Sequence, residues 1–240
     1  MLHHAFWTER RFTGLLLMLG CLLYVAAGAC MPRDVHGTIL VLLPDRAALL
    51  LIAAQPTLTQ LCFGLFISGS IVTPLGLALL TRLLWDAGDR TWSSLGLIAA
   101  LFGAVLWVIY LGVSLGSGLR AAQDTVRTGV VPGYYAAVGT TIQPLFITYT
   151  LLTFAALLAY GGAILTTRVL SQWVGWVTLA YTLLNLASAG FAGGNAAPIV
   201  HYVMPLVMGI LLLRRAPRNR SQREEASPAP TPSAVPGGEY

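Results

Sequence analysis

The chain has 240 residues, of which 56% are hydrophobic and only 10% are charged. A soluble domain of average composition has about 25% charged residues, so this composition excludes an ordinary soluble fold and indicates a surface that faces lipid. All 14 basic residues are arginine, and the net charge is +5. The arginines flank apolar segments instead of forming one basic patch, which is typical of membrane topology and not of nucleic-acid binding.

Six segments are apolar enough, and long enough, to cross a bilayer, which takes about 20 residues of helix. Because backbone groups in lipid must be hydrogen-bonded internally, each segment is predicted to be helical. The predicted fold class is therefore all-α, an integral membrane bundle of six transmembrane helices that forms a single domain over residues 1–215. The predicted spans are 12–31, 57–83, 92–115, 141–166, 170–191 and 194–213.

The distribution of the arginines predicts the orientation of the bundle. If the amino terminus is cytoplasmic, ten arginines lie on the cytoplasmic side and four on the outer side. Arginine and lysine accumulate in cytoplasmic loops. Both termini are therefore predicted to be cytoplasmic, in a multi-pass protein of the plasma (inner) membrane.

Two connections on the predicted outer side are long enough to contain a short helix. The first, Asp45 to Gln55, stops before Pro56 and is too short to cross the membrane. In the second, residues 119–127, charged residues recur at spacings of four and three, which places them on one helical face. The sequence thus predicts two short interfacial helices on the outer side.

The two ends of the chain raise separate questions. The stretch AAGAC, which ends at Cys30, resembles the cleavage site of a lipoprotein signal peptide, but Ala27 stands where that motif prefers leucine. The preceding apolar run also exceeds the 7–15 residues of a signal peptide, so we predict an uncleaved first helix and leave the lipidation of Cys30 open. Residues 216–240, first basic and then rich in Pro and Ser, are predicted to form a disordered cytoplasmic tail.

The spans contain almost no ionisable groups. Their only Asp, Glu, Lys or Arg is Arg82, at the very end of the second span. Such residues mark ion and proton pathways, so ion-coupled transport is disfavoured. His201 allows two interpretations. It could act as a proton relay or ligand contact, or it could be an interfacial histidine bonded to a carbonyl or to water. The second interpretation is favoured. No catalytic, metal-binding or cofactor-binding residue is predicted.

Uncharged polar side chains in the spans are more numerous and also allow two interpretations. They could form hydrogen bonds between helices, each worth about 0.5–2 kcal/mol, and this interpretation is favoured. Alternatively, they could line a small polar cavity. The candidate cavity residues are Gln60, Gln143, Thr150, Asn185 and His201.

Three stretches of the chain carry a resemblance to a known family. They are RRFTGLLLMLGCLLYVAAGA, AAQPTLTQLCFGLFISGSIVTPLGLALLTRLL and LLAYGGAILTTRVLSQWVGWVTLAYTLL. In the last, a short turn after Arg168 leads into a Trp-x-Gly-Trp motif at Trp173 to Trp176. Over residues 10–215 the chain resembles the bacterial six-span membrane proteins grouped as "domain of unknown function 4386". The resemblance implies a six-helix fold and the bacterial inner membrane, and it supplies neither an activity nor functional residues.

Two classes of function are compatible with these observations. The missing intramembrane charges and the many small residues four positions apart favour a non-enzymatic accessory or interaction protein, because such spacing lets helices approach closely. Its partners would be the lipid bilayer and either another membrane protein or further copies of the chain. The alternative is a carrier or permease for a small neutral or lipophilic solute, which the polar side chains near Pro74 and Pro144 suggest.

Overall fold

The computed structural model describes residues 2–32, 46–191 and 200–214 of the chain, with side chains described for 9–32, 46–188 and 200–214. Over these ranges the protein is all-helical, with seven α-helices and no strand. The helices are α1 (Leu2–Cys30), α2 (Arg46–Ala54), α3 (Pro56–Asp86), α4 (Thr91–Thr128), α5 (Gly133–Thr167), α6 (Gln172–Phe191) and α7 (Val200–Arg214).

Four of these helices are long and apolar enough to cross a membrane. They are Glu9–Cys30 of α1 and the whole of α3, α4 and α5, while α7 is a shorter apolar helix. Large apolar side chains lie on their outer faces, such as Phe102, which is 65% exposed, and Leu151, which is 53% exposed. This arrangement is expected of a protein embedded in a bilayer, where lipid tails cover such a surface.

The helices pack in an order that differs from their order in the chain. The first helix, α1, packs between α3 and α7, and α3 packs in turn against α4. The chain then continues through contacts of α4 with α5 and of α5 with α6, while the short α2 packs against α4. Side chains from α1, α3, α4, α5 and α7 therefore meet in the middle of the bundle.

Local sequence signals account for where the helices begin and end. Pro56 occupies the first turn of α3, where a missing amide hydrogen costs nothing. The Asp89 carboxylate accepts a hydrogen bond from the Ser93 backbone N–H at 2.8 Å and so caps the start of α4. That helix ends at Gly129, whose φ of 77° is the left-handed conformation that terminates helices.

The structure differs from the sequence-based prediction along α4 and α5. The predicted second outer helix at 119–127 is not a separate element, because α4 continues unbroken to Thr128. No proline interrupts this segment, and Ala121 and Ala122 are buried against Leu49 and Ile52 of α2, so tertiary packing extends the helix. The fifth helix likewise begins at Gly133, directly after Pro132, instead of at residue 141.

The remaining predictions have mixed outcomes. A short helix is present where one was predicted, as α2 (Arg46–Ala54). The helix α1 runs without interruption to Cys30, which is exposed. Residues 194–199 of the sixth predicted span and the predicted disordered tail at 216–240 lie outside the described residues.

Close helix contacts in the bundle depend on glycines. A Cβ atom added at Gly209 of α7 would lie 2.8 Å from the carbonyl oxygen of Gly14 on α1, and one added at Gly14 would lie 2.8 Å from the oxygen of Gly209. The contact of α3 with α1 is similar, since a Cβ at Gly69 would lie 2.7 Å from the oxygen of Gly20. In each pair backbone faces backbone, so no flexible side chain can move aside.

Replacing Gly209 with leucine is therefore expected to push α7 away from α1. We expect Gly209→Leu to lower the free energy of unfolding by about 1–3 kcal/mol, the usual cost of overpacking a tight contact. Denaturant titration of the purified protein in detergent micelles measures the change. Gly64→Leu is the matched control, because a Cβ at Gly64 meets nothing within 4 Å, and equal losses in both variants would contradict the interpretation.

Candidate functional site

A buried cluster of aromatic and polar side chains lies where five helices meet. We call the core aromatic cluster Tyr24 of α1, Ser70 of α3, Trp107 of α4, Tyr149 of α5, and His201 and Tyr202 of α7. All six side chains are buried. Along their helices, Tyr24, Ser70 and His201 lie 12–13 residues from Arg11, Arg82 and Arg214, which is about 18–20 Å of helix.

Ring stacking holds the cluster together across helices. Tyr24 and Tyr202 stack with their ring centroids 3.9 Å apart, and Trp107 and Tyr149 stack at 4.6 Å. The His201 ring packs edge-on against Tyr149 at 5.2 Å. Aromatic pairs of this kind add about 0.5–1.5 kcal/mol each beyond the burial of their surface.

Hydrogen bonds connect the polar ends of these side chains. The Ser70 hydroxyl donates to the carbonyl of Phe66 at 2.7 Å and lies 3.0 Å from the Tyr202 hydroxyl. Because the single proton of Ser70 is used on Phe66, Tyr202 is the donor in the second bond. The hydroxyl of Tyr149 lies 3.4 Å from Nδ1 of His201.

A cavity of about 40 Å³, which we call the core cavity, adjoins the core aromatic cluster. A single buried water occupies about 10–15 Å³ on this measure, so the space accommodates about three waters. Pro74 lies in its wall and has no amide hydrogen to give the carbonyl of Ser70, the acceptor four residues earlier in α3. The hydrogen-bonding side chains in its wall are Ser70, Thr73, Tyr149, Thr153, Tyr160, His201 and Tyr202.

A second polar contact joins α3 and α5 at one end of the cavity, where Tyr160 also packs against α4. The hydroxyls of Thr81 and Tyr160 lie 2.8 Å apart, and Tyr160 also donates to the carbonyl of Leu77 at 3.2 Å. The ring of Tyr160 fits against Gly96, where a Cβ would approach it to 3.1 Å. The tyrosine is wholly buried and closes this end of the cavity.

A larger, open groove lies between α4 and the beginning of α5. This α4–α5 groove has a volume of about 360 Å³. Its wall is uncharged. The hydrogen-bonding side chains that line it are Tyr110, Ser114 and Ser117 of α4, and Tyr135, Thr140 and Gln143 of α5.

The structure places the five candidate cavity residues at different sites. His201 lines the core cavity and Gln143 lines the α4–α5 groove. Thr150 is buried, and its hydroxyl has no hydrogen-bond partner among the described residues. Asn185 donates to the carbonyl of Tyr181 in its own helix at 2.8 Å, and Gln60 is exposed on α3. Neither space brings the five together, and a cavity shared by all of them stays a prediction.

The structure shows what surrounds His201 within the protein. Its side chain is only 2% exposed and lies between Tyr149 and Phe154, and its position at the membrane interface stays a prediction. Sequence reasoning also missed Tyr24, Trp107 and Tyr202 as members of the cluster. One signal was present: aromatic belts place Tyr and Trp at span ends, whereas Tyr24 stands in the middle of an apolar run.

No protein-family model matches the chain, and no curated protein or solved structure is significantly similar to it. The resemblance to the "domain of unknown function 4386" proteins therefore stays a prediction. What the chain does has to be argued from its own geometry.

Removing the hydroxyl of Tyr202 is expected to weaken the contact between α3 and α7. We expect Tyr202→Phe and Ser70→Ala to show a coupling energy of about 0.6 kcal/mol, a typical value for a hydrogen bond between membrane helices. A double-mutant cycle of unfolding free energies in detergent measures it. A coupling of zero within error would show that the two hydroxyls do not stabilise the fold through each other.

Proposed function

We propose that the chain is a six-span protein of the bacterial inner membrane, with α1, α3, α4, α5, α6 and α7 as its spans. In this placement both termini are cytoplasmic and α2 lies at the outer surface. The proposal is supported by the arginines near the ends of the helices, among them Arg82, Arg168 and Arg214, which lie on one side of such a bundle. Positive charge on one side is what retains loops in the cytoplasm.

Within this placement we propose a non-enzymatic accessory role, in which the protein binds a transmembrane helix of a partner or of a second copy. The observation that carries the proposal is an exposed stripe on α4 with alternating spacings of three and four. The α4 stripe consists of Leu95, Ile98, Phe102, Val105, Ile109, Gly112 and Gly116, and all seven are exposed.

The spacing of the α4 stripe is the heptad spacing by which one helix packs against another. Its last two members form a Gly-x-x-x-Gly pair, which lets a second helix approach closely. A Cβ at either glycine meets nothing within 4 Å, whereas glycines such as Gly14, Gly69 and Gly209 are filled by neighbours in the bundle. The most apolar stretch of α4 is also only 28% buried, compared with 39–44% in the other three long helices. The α4 stripe therefore combines exposure, heptad spacing and open glycines, the features that favour packing against one more helix.

Filling the glycine gap in the stripe is expected to prevent partner binding. After purification from native membranes under mild conditions, we expect Gly112→Leu to reduce the yield of a stoichiometric partner, or of the homo-oligomer, about tenfold. That factor corresponds to about 1.4 kcal/mol of binding energy.

The matched control is Gly139→Leu, since Gly139 is equally open but lies in the α4–α5 groove and outside the stripe. Quantitative mass spectrometry and native gels measure both variants. Undiminished association of Gly112→Leu, or equal losses in both variants, would contradict binding through the α4 stripe.

A second candidate, a carrier for a small neutral or lipophilic solute, is favoured by the core cavity. Pro74 and Pro205 lie inside α3 and α7, where each lacks the amide hydrogen that a helix normally donates, and both lie in the cavity wall. The carbonyl that such a proline leaves without a helical donor needs another hydrogen-bond partner, which a solute in the cavity could supply. The volume of about 40 Å³ limits the occupant in this conformation to a few atoms.

Filling the cavity is expected to abolish such transport. Ala104 lies in the cavity wall, so we expect Ala104→Leu to slow the uptake of urea or glycerol into proteoliposomes at least tenfold relative to the unmodified chain. Stopped-flow light scattering measures the uptake, and Ala187→Leu, at an exposed position of α6, is the control. If the unmodified chain moves neither solute faster than empty liposomes do, the carrier function fails for these solutes.

A further inference from the structure

The α4–α5 groove lies at a level of the bundle where lipid headgroups are expected. Arg90 marks the start of α4, and Tyr110 and Ser117 lie 20 and 27 residues after it. These separations correspond to about 30–40 Å along the helix axis. The hydrocarbon core of a bilayer is about 30 Å thick. In the six-span placement proposed above, on which this inference rests, the groove therefore faces the headgroups of the outer leaflet.

Several hydrogen-bonding groups in the groove are available to a ligand. The amide of Gln143 and the hydroxyl of Tyr135 make no hydrogen bond within the described part of the chain. The carbonyl of Thr140 has no helical donor, because the residue four positions later is Pro144. Together these groups offer donors and acceptors within one concave surface.

The electrostatics of the groove favour an uncharged ligand. None of the residues that line it is charged. The nearest charged groups on α4 are engaged with each other and with Tyr134: Asp124 accepts from Arg127 at 3.1 Å and from the Tyr134 hydroxyl at 3.2 Å. Arg120 lies over the Tyr134 ring at 5.7 Å. A phosphate in the groove would therefore find hydrogen-bond donors but no opposite charge among the lining residues.

One wall of the groove continues as an apolar surface toward the middle of the membrane. On α5, Ile147 and Leu151 follow Gln143 by four and eight residues, which places them on the same helical face. They are 45% and 53% exposed. A ligand with hydroxyl groups at one end and an acyl chain at the other thus matches the polar groove and the apolar surface that follows it.

We propose that the α4–α5 groove is a binding site for a membrane lipid with an uncharged, hydroxyl-rich headgroup. The headgroup hydroxyls bond Gln143, Tyr135 and the carbonyl of Thr140, and an acyl chain lies along Ile147 and Leu151. The volume of about 360 Å³ falls within the range of about 300–1,000 Å³ found for small-molecule sites. The α4 stripe, which carries the proposed partner contact, takes no part in this site.

Photocrosslinking tests the proposal on the full chain. The protein is purified in a zwitterionic detergent, because glucoside and maltoside detergents present the same headgroup chemistry, and is placed in phosphatidylcholine nanodiscs. The probe is a monoglucosyl diacylglycerol with a diazirine in one acyl chain, and phosphatidylglycerol with the same diazirine is the charged comparison. We expect the glucosyl lipid to label peptides of α5 that contain Ile147 or Leu151 at least fivefold more than phosphatidylglycerol does.

Variants distinguish the groove from general lipid contact. Gly139→Leu places a side chain in the groove, where a Cβ meets nothing within 4 Å, and is expected to reduce labelling at least fivefold. Gln143→Leu is expected to reduce it about threefold. The matched controls are Gly64→Leu and Gln60→Leu, at an open glycine and an exposed glutamine of α3, and both should retain full labelling.

Three results would overturn the proposal. The first is equal labelling by the two lipids, which would show that the groove does not select an uncharged headgroup. The second is full labelling of Gly139→Leu in a protein whose helicity and monodispersity match those of the unmodified chain. The third is loss of labelling when free glucose is added at millimolar concentration, which would assign the groove to a soluble solute. Partner loss in Gly112→Leu is measured separately, so failure of the lipid site and failure of the accessory role remain distinguishable.

Discussion

The structure depends on one constraint: polar groups in an apolar solvent must find their hydrogen-bond partners within the protein. The short hydroxyl side chains meet this constraint mainly through their own helix. Ser70, Thr73, Thr125 and Thr178 each donate to the carbonyl four residues earlier, at 2.7–2.9 Å. These hydroxyls are thereby satisfied within their own helix, and Ser70 and Thr81 in addition meet a tyrosine hydroxyl of another helix.

Lipid tails are as apolar as leucine, so burying leucine between helices gains little, and close packing decides which helices associate. The glycines of the chain divide accordingly. At Gly14, Gly69 and Gly209 a neighbouring backbone occupies the space of the missing side chain, whereas Gly112 and Gly139 face open space. The first group holds the bundle together. The second group lies on the two surfaces, the α4 stripe and the α4–α5 groove, for which we propose a partner helix and a lipid.

The sequence predicted the helical class, the short helix α2 and most helix ends, because apolar windows and the prolines that flank a helix are local signals. It failed at the end of α4, where buried contacts of Ala121 and Ala122 with α2 extend the helix through a polar segment. It also could not find the core aromatic cluster. Ser70 and Tyr202 are separated by 132 positions in the chain, and nothing in the local pattern around either residue indicates that they meet.

The contact of α6 with its neighbour has a consequence for how the fold tolerates change. Gly161 of α5 and Gly175 of α6 face each other, so that a Cβ at Gly175 would lie 2.9 Å from the oxygen of Gly161. The core aromatic cluster draws its side chains from α1, α3, α4, α5 and α7 and none from α6. The sixth helix therefore tolerates change unevenly: substitutions on its exposed face leave the interior unchanged, whereas substitutions at Gly175 or at the wholly buried Val174 reach the contact with α5 and the hydrophobic core.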